Sequence, residues 1–368
     1  MNILISAYFG FGNCGDEAIL LAMVRNISAL SADIRLTALS YHPEETKAQY
    51  GIGAVNRFNL LQVWKAIRHT DILLMGGGTL LQDDTSTRSL FYYLGILLLG
   101  ILAKKKIMLY ANGIGPVNRR LNRRLIRRVV NHVDLITLRE SFALEELRLL
   151  GVTKPEIHVT ADPVFTLAEQ AIPANEAREL LNRQGVPAGK PILAVSVREW
   201  PLQGDWRREV AAVCDHFAGL GYVILFIPMQ YKRDLAVSKL VMDVMTRPSH
   251  LLEPANIQEI LGVIGLAELV CSMRLHTLIF AGVEAVPMLG IAYEPKVSYY
   301  LDLLRMPAAA EPLDGQAMIA QMEELAARRG QYASGLGAVR QELLEQAREN
   351  ERRLKGLIDV CLCVNKRI

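Results

Sequence analysis

The chain has 368 residues, 51% of them hydrophobic, and a formal charge of +3, which gives enough apolar matter for two cores and too little net charge to point to nucleic acid as a partner. Its five cysteines, Cys14, Cys214, Cys271, Cys361 and Cys363, are odd in number, scattered and without CxxC spacing, which excludes a disulfide scaffold and leaves no zinc pattern. A reduced interior, no metal and no nucleic-acid partner are expected.

Met1 leads straight into NILISA without a basic stretch, a short apolar core or a small-residue cleavage site, so no signal peptide is read and a cytoplasmic location is expected. The first half then alternates short apolar runs with helical patterns: NILISA, IRLTALS, DILLMGG, KIMLYANG and DLITLR. That rhythm predicts βαβ units and a parallel sheet. The runs are continuous, as in strands covered by helices on both faces. A doubly wound, Rossmann-like α/β domain is predicted over residues 1–166.

In such a sheet ligands bind beyond the carboxyl ends of the strands, so the residues after each run carry the information. After the first comes YFGFGNCGDEAIL, a loop loosened by Gly10, Gly12 and Gly15 before Asp16 and Glu17 open a helix. Two readings stand: an anion-binding turn, or a tight turn whose acids complement the helix dipole. It has neither GxGxxG spacing nor a P-loop lysine. Gly76, Gly77, Gly78 and Thr79 follow the third run, as a ligand-facing loop or a plain turn. Leu90–Ala103 is wholly apolar and shorter than the ~20 residues of a span. It reads as a buried crossover helix, a helix resting on a membrane, or least of all a span. Asn112, Gly113, Ile114, Gly115 and Pro116 help shape the same cleft. Arg119–Arg128, RRLNRRLIRR, is either a solvated helix or a face for phosphate-rich surfaces such as nucleic acid or anionic lipid. Arg139 is either a cleft residue or a partner of Glu140 or Glu145.

Residues 167–190 turn polar, with Pro173, Pro187 and Gly189, and are read as a linker. PILAVSVREW, YVILFIP, LVCSM and VPMLGIAY then predict a second Rossmann-like domain over 191–313. Arg198 follows its first run, Arg274 and His276 follow LVCSM, and Lys296 follows the last. Two guanidiniums from strand ends of one sheet can clamp a carboxylate or phosphate. A histidine beside them can move a proton near neutrality. Lys296 is a further anion contact or a solvated lysine. From 314 to 368 the pattern is helical and amphipathic, and reads as helices packing back on the body or, second, as a partner-binding coiled coil.

Taken together, GFGNCGDEAIL, the triple glycine, ANGIGP, LRESFALEELRLLG, TADPVF and MRLHTLIFA followed by a VP strand resemble the polysaccharide pyruvyl transferase family, particularly its bacterial cell-wall-polymer branch. The resemblance spans about Met1 to Tyr299. It implies a fold similar to the GT-B glycosyltransferases, two Rossmann-like domains facing across a cleft with C-terminal helices. It also implies phosphoenolpyruvate as donor, no further cofactor, and a sugar as acceptor. On it the second domain is the donor side, with Arg198, Arg274, Leu275 and His276 as donor contacts. The first domain is the acceptor side, where Phe9, Phe11, Asn13 and Asp16 match. Lys296 also matches an acceptor-side position, and Arg139 is a looser match.

Ketal formation needs protonation at C3 of the enol, attack at C2 by a sugar hydroxyl and departure of phosphate. Arg198 and Arg274 suit the donor's charges, His276 suits an acid or base, and Asp16 or Glu17 suits deprotonation of the hydroxyl. Gly77 and Gly78 complete the expected substrate loop. In the cell-wall branch the acceptor is similar to a disaccharide on a lipid diphosphate. That gives Arg119–Arg128 and Leu90–Ala103 an expected joint role at the inner membrane face. Two alternatives share the architecture: a nucleotide-sugar glycosyltransferase and a non-catalytic lipid- or polymer-binding protein.

Overall fold

The apolar runs become the strands of two parallel sheets in the computed structural model of the chain, which describes residues 1–84 and 86–365. Contacts divide it into two compact units, Met1–Thr166 with the chain from Leu343 onward, and Leu167–Glu342.

In chain order the first unit runs β1 (Asn2–Phe9), α1 (Cys14–Leu30), β2 (Arg35–Ser40), α2 (Pro43–Tyr50), β3 (Gly53–Asn56), α3 (Leu60–His69) and β4 (Ile72–Gly76). It continues with β5 (Thr79–Leu81), α4 (Thr87–Leu102), β6 (Lys106–Ile114), α5 (Arg120–Val130), β7 (Leu135–Leu138), α6 (Phe142–Leu149) and β8 (Glu156–Val159). The strand order is β3-β2-β1-β4-β6-β7-β8, with β5 on β6, and the pairs are parallel. Ile3, Leu4 and Ile5 of β1, Ile72–Met75 of β4 and Ile107–Ala111 of β6 are buried on both faces of the sheet, which is why these strands read as continuous apolar runs.

The second unit holds α7 (Ala174–Arg183), β9 (Ile192–Ser196), α8 (Trp206–Gly219), β10 (Val223–Phe226), α9 (Tyr231–Met242), β11 (His250–Leu251) and α10 (Ile257–Gly265). Then come β12 (Leu269–Ser272), α11 (Leu275–Val283), β13 (Met288–Ile291), α12 (Pro295–Leu304), β14 (Ala308–Ala309) and α13 (Gly315–Ala327). Its order, β11-β10-β9-β12-β13-β14, is that of a Rossmann sheet, wound outward in both directions from the centre.

Two boundaries differ from the sequence reading. Residues 167–190 are no linker: Ala177 and Leu181 of α7 are buried, and the Ile172 N–H donates to the Gln258 carbonyl at 3.1 Å. This polar stretch folds as the outer helix of the second unit. The tail is divided as well. α13 stays with the second unit, whereas α14 (Arg329–Asn365) contributes its residues from Leu343 to the first. There Asn350 is fully buried, accepting from the Thr160 hydroxyl at 2.9 Å and donating to the Ala161 carbonyl at 3.1 Å. Glu351 accepts from Asn26 at 2.9 Å and from the Tyr110 phenol. Among the described residues no helix is long and apolar enough to cross a membrane.

Candidate active site

In the second unit, four neighbouring strands are followed at their carboxyl ends by charged and polar side chains. In the order β10, β9, β12, β13 these are Asp234, Arg198, Arg274 with His276, and Tyr293 with Lys296. The winding reverses between β9 and β12, the place where open parallel sheets bind ligands. Arg198 and Arg274 thus leave adjacent strands, which lie about 4.8 Å apart.

Arg198 donates from Nη1 to the Tyr293 phenol at 3.0 Å. Its guanidinium carbon lies 5.0 Å from the centre of the Trp200 ring and 5.5 Å from that of Tyr293. Aromatic faces hold a cation without neutralising it. Nε is buried without a hydrogen-bond partner, and among the described residues no carboxylate pairs with this guanidinium. Burial, and then the Glu294 charge, push the Tyr293 phenol well up, so it stays protonated.

Arg274 caps α11, its backbone N–H donating to the Ser272 hydroxyl at 2.9 Å. Its guanidinium is ion-paired with Asp234. Asp234 is 1% exposed and also accepts from the backbone N–H of Met229 at 3.0 Å and Gln230 at 2.8 Å. As in Arg198, Nε of Arg274 is buried without a partner. Two guanidiniums with uncommitted N–H groups are suited to a carboxylate or phosphate, which they can bind bidentately.

His276 is half-buried in the first turn of α11. That helix has no side-chain N-cap, so its positive dipole end adds to the charge of the two arginines. The Leu275 side chain belongs to the core, which restricts any ligand contact to its backbone. Lys296 pairs with Glu294 at 3.0 Å.

In the first unit the winding reverses between β1 and β4, and the loops after those strands meet at α1. The Asn13 side chain accepts from the Gly15 N–H at 3.2 Å and caps α1. Glu17 accepts from the Gly10 N–H and from the Tyr50 phenol, both at 2.8 Å. Burial, more than its neighbour Glu45, raises the Glu17 carboxyl pKa, against the two hydrogen bonds. Gly77 has φ +61°, and a Cβ there would stand 2.2 Å from Ile19 Cγ2. One on Gly78 would stand 3.2 Å from Asp16 Oδ1. The glycines therefore let α1 close down on the loop and bring Asp16, itself buried, against it.

Three expected contacts resolve into structure. Phe9 is fully buried in the core, because β1 extends to it and its side chain points inward. Arg139 is 2% exposed and spent on Glu140 at 2.7 Å and Asp162 at 2.6 Å; Asp162 lies in the TADPVF segment, so this ion triad ties β7 to the strand-end turn after β8. Leu275 is the third, as above.

Other residues at the strand ends escaped the sequence reading. Asp234 begins a helix like any dipole-complementing acid, and nothing local marks it as the brace of Arg274. Trp200 and Tyr293 gain their role only by flanking Arg198. In the first unit Arg57, at the end of β3, is 4% exposed. It donates to the Ala7 carbonyl at 2.8 Å and lies 4.4 Å from the Tyr92 ring centre and 5.1 Å from that of Phe11. Phe11 itself stacks between Tyr8 and Tyr41, at 4.1 and 4.8 Å.

A family model described as polysaccharide pyruvyl transferase matches residues 13–295. Among characterised proteins, the amylovoran biosynthesis protein AmsJ of Erwinia amylovora is 22% identical over 230 residues, 58% of this chain and 55% of that protein. The chain thus matches about half the length of that relative. Solved structures share the fold at low identity. UDP-GlcNAc 2-epimerase from Neisseria meningitidis, bound to UDP-GlcNAc, superposes with TM-score 0.67 at 11% identity, covering 98% of this chain and 100% of that one. Anabaena HepE in complex with UDP-glucose gives 0.65 at 10% identity, covering 98% and 100%. A glycosyltransferase from Rickettsia africae gives 0.64 at 11% identity, covering 98% of each chain. The fold is accordingly GT-B-like.

Proposed function

The chain belongs to the polysaccharide pyruvyl transferase family, and on that premise we propose that it transfers pyruvate from phosphoenolpyruvate to a sugar of a lipid-diphosphate-linked cell-wall polysaccharide precursor. The observation that carries this reading is the pair Arg198 and Arg274 on adjacent strand ends at the winding reversal, each with an uncommitted buried Nε–H. Phosphoenolpyruvate carries a carboxylate and a phosphate on neighbouring atoms, and two such forks suit two such anions.

The reaction assigns each group a task. Arg198 and Arg274 hold the carboxylate and phosphate, so that charge and orientation are in place before bonds change. His276 delivers a proton to C3, and a sugar hydroxyl adds to C2 as its own proton passes to a base. Asp16, which stands against the Gly78 backbone at the start of α1, is our choice for that base. The C2–O bond to phosphate then breaks, inorganic phosphate leaves, and a second hydroxyl closes the ketal as its proton is released. Phe11, Asn13 and the Gly77–Gly78 loop belong to the acceptor's side, with Lys296 a further anion contact.

A nucleotide-sugar glycosyltransferase is the alternative, motivated by the UDP-sugars named with the structural neighbours. Mass spectrometry of the acceptor separates the two. Incubation with phosphoenolpyruvate should add the mass of one pyruvic acid less one water. A hexose increment from a UDP-sugar, with no change from phosphoenolpyruvate, would replace this reading.

A further inference from the structure

Helices α3, α4 and α5 follow the strands that wind from β3 across β1 and outward, so they cover one face of the first sheet while α1 and α2 cover the other. α3 packs beside α4, and α4 beside α5. Each turns only part of its apolar surface inward. On α4, Leu90, Tyr93, Leu94 and Leu97 are buried, yet Phe91, Leu98 and Leu102 lie on an exposed stripe. α3 buries Val63 and Ile67 and exposes Leu60, Trp64 and Leu61, the last 83% exposed. The outer layer of this unit therefore carries exposed large apolar side chains on two neighbouring helices, six of them on α3 and α4.

Charge identifies what covers it. None of the three helices contains an Asp or Glu. Arg120, Arg124, Arg127 and Arg128 are exposed on α5, and among the described residues no carboxylate pairs with them. Lys65 and Arg68 extend the same sign along α3, and Lys104 follows α4. Apolar side chains framed by unpaired basic ones match an anionic lipid surface, where rings and leucines enter the acyl boundary and arginines meet phosphates. A second copy of the chain fits poorly, because a two-fold contact through these acid-free helices would bring basic side chains together with no carboxylate of the layer to pair them.

We propose that the α3–α4–α5 face of the first unit docks on an anionic membrane surface. The helices start at the carboxyl edge of the sheet, the edge that bears Asp16, Phe11 and the glycine loop. Docking by this face sets that edge alongside the membrane, to which a lipid-linked sugar diphosphate would be confined. The surface argument does not depend on the donor chemistry.

Sedimentation of the full chain with vesicles of phosphatidylglycerol and phosphatidylcholine, against phosphatidylcholine alone, tests this without any catalytic readout. Binding is expected only to the anionic vesicles and should weaken as salt is raised. Arg120→Glu with Arg124→Glu should lower partitioning more than tenfold, at about fivefold for each arginine charge lost. Leu61→Glu should lower it independently, with circular dichroism unchanged in both variants. Absence of binding to anionic vesicles at low salt would overturn the proposal. So would binding indifferent to both variants, or a Leu61→Glu chain that dissociates from dimer to monomer yet binds vesicles as before.

Discussion

Arg274 reaches past the end of β9 to pair with Asp234, so a residue from β12 is braced by one that follows β10. Asp234 is itself anchored by two backbone N–H groups, which leaves it no freedom to follow the arginine. The pair orients the Arg274 guanidinium without filling its Nε.

Asp234→Asn keeps the shape and removes the charge. Arg274 loses its orientation, and the KM for phosphoenolpyruvate should rise roughly tenfold or more while the acceptor KM stays unchanged. Steady-state kinetics with each substrate varied in turn check this. An unchanged donor KM would mean that Asp234 only supports the fold.

Gly77→Ala should destabilise the first unit by about 2–5 kcal/mol, because a left-handed backbone strains alanine and the new methyl meets Ile19. In an Ile19→Ala background, which lacks the Cγ2 that the methyl meets, the cost of Gly77→Ala should fall by only the packing part. Urea unfolding of the single and double variants measures both shares.

Glu284 lies at the end of α11, and burial raises its carboxyl from 4.5 to about 7, with Arg340 partly opposing. Its folded pKa exceeds its unfolded one. The neutral form therefore favours folding below about pH 4.5, and that contribution is lost as pH rises through 7. Glu284→Gln should flatten the stability profile between these values and stabilise the chain at pH 8 by about 1–3 kcal/mol. Thermal unfolding across that pH range is the check.

Phe11 stacks between Tyr8 and Tyr41 in front of Arg57. Phe11→Ala removes a ring from the loop that follows β1. The acceptor KM should rise by roughly tenfold, from lost contacts of about 1–2 kcal/mol, with the phosphoenolpyruvate KM unaltered. A rise in the donor KM instead would move this loop to the donor's side.

Much of the architecture was legible because parallel strands buried on both faces leave continuous apolar runs, as in DILLMGG and KIMLYANG. Strand ends could be read for the same reason, so the positions of Arg198 after β9 and of Arg274 and His276 after β12 follow from the sequence pattern. Partnerships between distant segments could not. Arg139 finds Asp162 through the pairing of β7 with β8, and no local pattern separates that from an arginine awaiting a ligand. Phe9 is the last residue of β1, and that one position decides between core and loop. The linker reading failed because α7 is polar on its outer face and buries only a narrow stripe. The arginines of α5 showed their sign in the sequence, whereas the acid-free layer they share with α3 emerges only from the topology.

The most direct test of pyruvyl transfer is phosphate release from phosphoenolpyruvate, measured with and without a synthetic lipid-diphosphate disaccharide, in the native chain and in Arg198→Ala and His276→Ala. Release that requires the acceptor, and falls by roughly 10²-fold or more in both variants, is the expected result. Acceptor-dependent release that survives in both variants would remove the donor site from the second unit, and no release with any polysaccharide precursor would contradict the function itself.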